Sequence, residues 1–234
     1  TFNTNSQVLN GVTSMSFGSF VVVTAPTTVT NNGTVVTTEI SAGGLSGTGS
    51  WTQGVDSELY YQGQTITISS MNTSASGNLV QYTRLGSQTV FNPVSGTYWH
   101  LTLSASSGGP HTKSLSANAD VNGDLSIITN ACLDVTASLY SINVAGNWIN
   151  TSTEVDPFVQ RTGTVTFDGG NSQTITANPV SGGETFYNFV VNKSANGVTL
   201  NDPITIATAG LATFTQGIVY SNSSDLFIFA DGAS

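Results

Sequence analysis

The sequence predicts an all-β protein wound as a parallel β-helix (solenoid), and three observations carry that expectation. First, only 7% of the 234 residues are Asp, Glu, Lys or Arg, against roughly 25% in an average soluble protein. Ser, Thr, Asn and Gly fill the gap. The long charged side chains that suit helices are nearly missing, whereas Thr, Val and Ile, which suit strands, abound. Second, short runs with apolar–polar alternation recur along the chain between Gly, Asn, Ser, Asp and Pro clusters. Several equivalent runs lie about 20–25 residues apart, the length of one solenoid coil. Third, the second half repeats itself. Asn92-Pro93-Val94-Ser95-Gly96 returns as Asn178-Pro179-Val180-Ser181-Gly182, 86 residues later, and Ser87-Gln88-Thr89-Val90 returns as Ser172-Gln173-Thr174-Ile175. A period of 86 residues reads as roughly four coils sharing one long core. A tandem array of β-sandwich modules is the alternative with a similar period. Against it, no Pro-rich or charged linker separates the copies, and the turns carry single Asn, Gly and Ser residues suited to tight corners.

In chain order, residues 1–76 read as an irregular N-terminal β region. It holds the longest apolar run, Phe20-Val21-Val22-Val23, then a Thr/Val-rich stretch from Thr27 to Thr38 and a Gly/Ser-rich one from Gly43 to Gly54. The open end of a solenoid must be capped or paired, so this region is expected to be a cap or an assembly end. Residues 77–162 form the first repeat, with strands at Leu79-Val80-Gln81-Tyr82, Leu101-Thr102-Leu103 and Ile142-Asn143-Val144. Residues 163–234 form a second, truncated repeat, with strands at Val165-Thr166-Phe167, Ile204-Thr205-Ile206 and Leu226-Phe227-Ile228-Phe229. Its last residues, Asp231-Gly232-Ala233-Ser234, align with Ala145-Gly146-Asn147-Trp148, where the first copy continues. A longer parent chain is the expectation.

Charge narrows the function classes. Four basic against thirteen acidic residues give a net charge of −9. Nucleic-acid binding and a polybasic hold on anionic lipid both need clustered Lys and Arg, which this chain cannot supply. No run approaches the roughly 20 apolar residues of a membrane span. The single cysteine, Cys132, rules out an intrachain disulfide and reads as a small buried hydrophobe.

Gly163-Thr164-Val165-Thr166-Phe167-Asp168-Gly169, Gln173-Thr174-Ile175, Phe186-Tyr187-Asn188-Phe189-Val190-Val191-Asn192 and Gly197-Val198-Thr199-Leu200 resemble the repeats of large bacterial cell-surface proteins with β-helical, adhesin-like regions. Val121-Asn122-Gly123-Asp124-Leu125-Ser126-Ile127 and Val144-Ala145-Gly146-Asn147-Trp148 look like the inter-strand segments of the same family. The resemblance covers roughly residues 50–234. It implies export and an extracellular or cell-surface role, often inside a very long polypeptide, and carries no catalytic residues.

Chemistry-bearing constellations are sparse. Asp120-Val121-Asn122-Gly123-Asp124 resembles the start of a calcium loop, but the positions that should hold Gly and a bidentate Glu hold Leu125 and Ala131. A turn is expected instead. His100 and His111 with one cysteine cannot complete a zinc site; His100 reads as a solvent-facing strand position and His111 as an exposed loop residue. No cofactor or metal is expected. Glu154 and Asp156, with Arg161 nearby, are the best candidate pair for polysaccharide cleavage, and Asp56 and Glu58 a weaker one; Thr151 to Gln160 reads as a loop, however, and no catalytic residue is expected. Trp51, Trp99, Trp148 and Tyr98 are the candidates for a sugar-stacking platform, the competing expectation being a buried aromatic column. Asn32, Asn72, Asn150, Asn192 and Asn222 open formal N-glycosylation triplets. The function expected is that of a non-enzymatic structural protein. It would be an adhesin stalk segment or a fibre subunit joined head-to-tail to copies of itself or to further repeats. The alternative is a module that binds or cleaves carbohydrate, with surface glycans as partner.

Overall fold

The computed structural model describes residues 28–37 and 44–234, with the backbone of four short strands before them, Phe2–Asn3, Val8–Leu9, Met15–Phe17 and Val21–Val22. The chain is a parallel β-solenoid. Every pairing between its named strands is parallel among the described residues, and strands within a ladder are bonded to the equivalent strands one coil earlier and one coil later. Antiparallel hairpins, which a sandwich array needs, are not how this chain pairs. The described residues from 44 onward make about eight turns of roughly 23 residues.

Each coil lays down three faces. The first is built by Gln88–Val90, His111–Leu115, Ala131–Asp134 and Phe158–Val159. The second is built by Thr97–Tyr98, Ala119–Val121, Ile142–Val144 and Thr164–Phe167. The third is built by Leu79–Tyr82, His100–Leu103, Leu125–Thr129, Trp148–Ser152 and Gln173–Thr176. From Glu184 the corners tighten, so single extended strands, Glu184–Leu200 and then Ile204–Tyr220, pass over all three faces, with register shifts at the corners.

The alternation read from the sequence fixes which side chains point inward. In Leu125-Ser126-Ile127 both aliphatics are buried and the serine is not, as the period of two requires. Parallel in-register pairing then stacks like on like. Leu101, Leu125, Trp148 and Ile175 form one inward column, and Val121, Val144, Phe167 and Val191 form another. One continuous hydrophobic core runs from Val29 to Ile206. Because each coil's backbone groups are satisfied by the coils above and below, sheet and core are built by the same stacking.

The corners between the second and third faces show how close the stacking is. Gly123, Gly146 and Gly169 succeed one another there at one-coil intervals, and a Cβ on any of them would collide with the coil beneath. At Gly123 it would meet the Trp99 carbonyl oxygen at 2.8 Å, and at Gly169 the obstacle is the Ala145 carbonyl. A neighbouring Cβ at Gly170 would meet nothing within 4 Å. Gly169→Ala is therefore expected to destabilise the chain by about 2 kcal/mol, the scale of overpacking, with Gly170→Ala near neutral. Equal denaturation midpoints for the two variants would refute the close-stacked corner.

The long sequence repeat proves to be out of phase with the coil. Gln88 lies on the first face but its counterpart Gln173 lies on the third. Tyr98 is on the second face, whereas Phe186, its counterpart after a small shift of offset, is on the first. The two Asn-Pro-Val-Ser-Gly segments occupy different corners. The period therefore corresponds to three and two-thirds coils rather than four. It is possible because each face-plus-corner is a unit that the next face can reuse. Residues 162 and 163 lie in the turn between Phe158–Val159 and Thr164–Phe167, and both of these strands pair with strands of the preceding coil. Of the region 1–76, read as a cap or assembly end, residues 28–37 and 44–76 are described and pair in parallel with the next coil through Ser50–Gln53 and Glu58–Tyr61; the Gly43 end of the Gly/Ser-rich stretch and all but the strand backbone of Phe20–Val23 lie outside the described residues.

Candidate functional site

Three of the four aromatics proposed as a sugar platform are core residues. Trp51 and Tyr98 are 1% exposed and Trp148 is fully buried. They stand at inward positions of their strands, so no sugar can stack on them from solvent; only Trp99, set against His100, is half-exposed. Of the four, only Trp148 stands in a column of aromatic rings. Trp148 meets Phe158 edge-on at 4.8 Å and Phe186 at 5.3 Å, Phe186 meets Phe189 at 5.3 Å, and Phe189 meets Phe227 at 5.5 Å.

Buried polar groups in this core are drawn into hydrogen bonds, with Asn78 Oδ1 the exception. Phe91 N–H donates to Tyr82 (2.9 Å), Tyr82 and Tyr98 hydroxyls lie 3.0 Å apart, and Tyr98 donates to the Phe91 carbonyl at 2.5 Å. Burial pushes the Tyr82 phenol up to about 12 and Tyr98 well above its usual range. The corners hold a recurring clamp. Gln88 takes the Arg84 N–H and donates to the Tyr61 and Gly63 carbonyls, while Lys113 from the next coil donates to the Arg84 carbonyl at 2.6 Å. Gln173 likewise takes the Gly169 N–H and donates to the Val144 and Gly146 carbonyls, while Lys193 donates to the Gly169 carbonyl at 2.6 Å. Two of the chain's four basic residues are thus drawn into corners, and desolvation lowers the pKa of Lys193.

The other sequence candidates resolve into structure. Asp124 accepts the Asn147 N–H at 2.7 Å and its own N–H donates to His100 Nδ1 at 2.9 Å. Asn147 in turn accepts the Thr174 N–H at 2.8 Å. The calcium-like segment is therefore a turn in a ladder of side-chain caps, and His100 is tied into it rather than merely facing solvent. His111, expected to be an exposed loop residue, takes the Gly86 N–H at 2.7 Å on Nδ1 and bonds the Ser107 carbonyl through Nε2, which fixes its neutral tautomer as Nε2–H. Cys132 is 7% exposed, and burial first, then the Glu154 charge, push its thiol up to about 11, in keeping with a small buried hydrophobe.

Glu154, Asp156 and Arg161 are not brought together. Arg161 makes a two-pronged ion pair with Asp134, at 2.8 Å for both bonds, which lowers the Asp134 pKa. Glu154 lies beside Gly109. Asp156 instead faces a residue the sequence reading passed over, Glu184, one coil later. Together with Phe158, Gln160 and Thr185 these two carboxyls line a polar recess of about 300 Å³. Glu184 is 4% exposed and holds Trp148 Nε1–H (2.9 Å) and Asn150 Nδ2–H (2.7 Å) on a single oxygen, Oε2. Desolvation raises its carboxyl to about 7 against the pull of these donors, and the Asp156 charge adds to the rise. A carboxyl half-ionised at neutral pH and open to a recess can hold or exchange a proton or meet a cation. The one sequence signal for it was a lone Glu at an inward, strand-opening position. A separate, mostly apolar groove of about 450 Å³ runs over the outside of the third face past Val36, Tyr60, Gln62, Gln81 and Thr83.

Comparison with family models, curated proteins and solved structures gave no match. Function has to be argued from the geometry.

Proposed function

We propose that this chain is an extracellular, rod-forming structural segment whose coils stack end-on with further coils of like period, those of a second copy or of a longer parent chain. The observation that carries the reading is the state of the core at the C-terminal end. Phe214 pairs with Val191, and Phe229 with Ile206. Those partners are fully buried, yet Phe214 and Phe229 are 49% and 48% exposed. The aromatic column thus runs out into solvent, rimmed by Leu211, Ile218 and Tyr220. Parallel edges at Ile218–Tyr220 and Phe227–Phe229 accompany it, and Ser234 bonds to Gly210 and Ala212 as part of a further rung.

An apolar disc ringed by parallel edges on three sides fits one kind of partner, another coil of like period and direction. The strands Phe2–Asn3, Val8–Leu9 and Met15–Phe17 pair in that same parallel direction. Such a heterologous, non-closing contact grows a filament, and side chains interlocked along an axis suit a stalk. The carbohydrate-binding reading loses its Trp51, Trp148 and Tyr98 platform and retreats to the Tyr60 groove, whose lining carries no charge.

The test is light scattering of the purified chain over a concentration series, with negative-stain microscopy. Head-to-tail multimers or uniform fibres are expected, and Phe214→Lys with Phe229→Lys should shift the population to monomer. A wild-type chain that stays monomeric at every concentration would defeat self-assembly.

A further inference from the structure

Two parts of the solenoid use the same buried trio, once closed and once open. In the earlier one Trp51 Nε1–H and Asn31 Nδ2–H both donate to Gln53 Oε1, at 2.7 and 3.0 Å, and the Gln53 amide nitrogen reaches the Leu79 carbonyl at 3.4 Å. The amide is consumed at both ends. In the later one Trp148 and Asn150 make the same pair of bonds to one oxygen, but the acceptor is Glu184. Where the trio serves packing alone, a neutral glutamine suffices. Beside the recess a carboxyl stands in its place, although burying an uncompensated charge is costly.

The surroundings do not supply a counter-charge. None of the chain's four basic residues lines the recess, and Asp156 adds a second negative charge at its wall. The Thr185 backbone N–H also leans on the Glu184 carboxyl. The two side-chain donors share one carboxylate oxygen, which leaves acceptor capacity on a residue that lines the recess. We propose that this recess is a binding site for a small primary ammonium group, anchored by Glu184.

The donor and acceptor inventories match. An ammonium carries three N–H donors and no acceptor, and the recess is lined by two carboxyl residues, Glu184 and Asp156, with Gln160 and Thr185, whose side chains also carry acceptor oxygens. An anion would be repelled by Asp156, and a neutral polyol would leave the buried charge unpaired. A calcium ion wants six to eight oxygens, and the bonds already made to Glu184 leave it at most a single-oxygen contact. Of the charged groups around Glu184, Asp156 is the one whose field acts on it.

The experiment is a titration of the full, isotope-labelled chain with ethylammonium chloride, followed by NMR at residues 156–160 and 184–185. Calcium chloride and glucose are run in parallel at constant ionic strength. Saturable shifts are expected with ethylammonium alone. Its affinity should rise about tenfold from pH 6 to pH 8 as Glu184, titrating at about 7, ionises. Glu184→Gln, which copies the Gln53 arrangement, should keep the fold and lose the binding; the surface change Asp156→Asn should weaken it while leaving the pH dependence. Absence of shifts at those residues, equal binding by Glu184→Gln, or stronger binding of calcium or glucose would each overturn the assignment.

Discussion

Between about pH 4 and about pH 8 the wild-type chain should lose about 3 kcal/mol of stability that Glu184→Gln does not lose. Glu184 ionises near 4.5 when unfolded and at about 7 in the folded chain. In the window between these values the folded state holds a proton that the unfolded state has released, so stability falls as pH rises. The contribution is complete below the unfolded value and gone above the folded one. At about 1.36 kcal/mol per unit of pKa difference, the window is worth about 3 kcal/mol. The glutamine variant stays neutral throughout, keeps an acceptor for Trp148 and Asn150, and has a precedent in Gln53. It should match wild type near pH 4 and exceed it near pH 8. Denaturant unfolding at a series of pH values measures the difference between the two chains, which removes the titration of Asp134 and Asp168 common to both. Parallel curves would show that the Glu184 carboxyl is not held neutral by its burial.

Trp148→Ala should cost about 3–5 kcal/mol, the range for removing a buried aromatic, whereas Trp99→Ala should cost less than about 1 kcal/mol. Trp148 is fully buried, meets Phe158, Phe167 and Phe186 edge-on, and gives Glu184 one of its two side-chain donors. Truncation opens a cavity at the centre of the aromatic column and leaves the carboxyl with a donor missing. Because a solenoid is stabilised coil by coil, the damage should be local as well as global. Hydrogen exchange should quicken first in Ile142–Val144, Trp148–Ser152 and Gln173–Thr176. Similar unfolding midpoints for the two variants would contradict the placement of these tryptophans.

The coil itself was legible from local rules. Thr, Val and Ile alternation marked Leu79–Tyr82, Leu125–Thr129 and Thr164–Phe167 as strands, and Gly, Asn and Ser marked the corners. The coil period was also present, in the evenly spaced apolar-x-Gly triplets that end at Gly123, Gly146 and Gly169. Corners of unequal length blurred it to about 20–25 residues. The step from Phe2 to its partner Val21 is short, whereas the step from Trp148 to its partner Ile175 is much longer. The louder long repeat therefore set an expectation of four coils where the structure has three and two-thirds.

The candidate site was not legible, for a physical reason. Side chains meet in a solenoid because coils stack, so neighbours in space lie one coil apart or more. Glu184 follows Asp156 by a full coil, and its donors Asn150 and Trp148 lie further back still in the chain. Glu154 and Asp156, close in sequence, diverge because the corner carrying them turns, with Asp156 in a left-handed backbone conformation at φ 48°.

The sequence by itself determined that the chain is all-β, that it coils, and which alternate side chains enter the core. These follow from propensity and a period of two, which are properties of neighbouring residues. The tertiary structure alone decided the phase of the long repeat and the burial of Trp51, Tyr98 and Trp148. It also decided the pairing of a buried glutamate with an aspartate across coils. Each depends on how many residues a corner consumes, and that is set by what the next coil must stack upon.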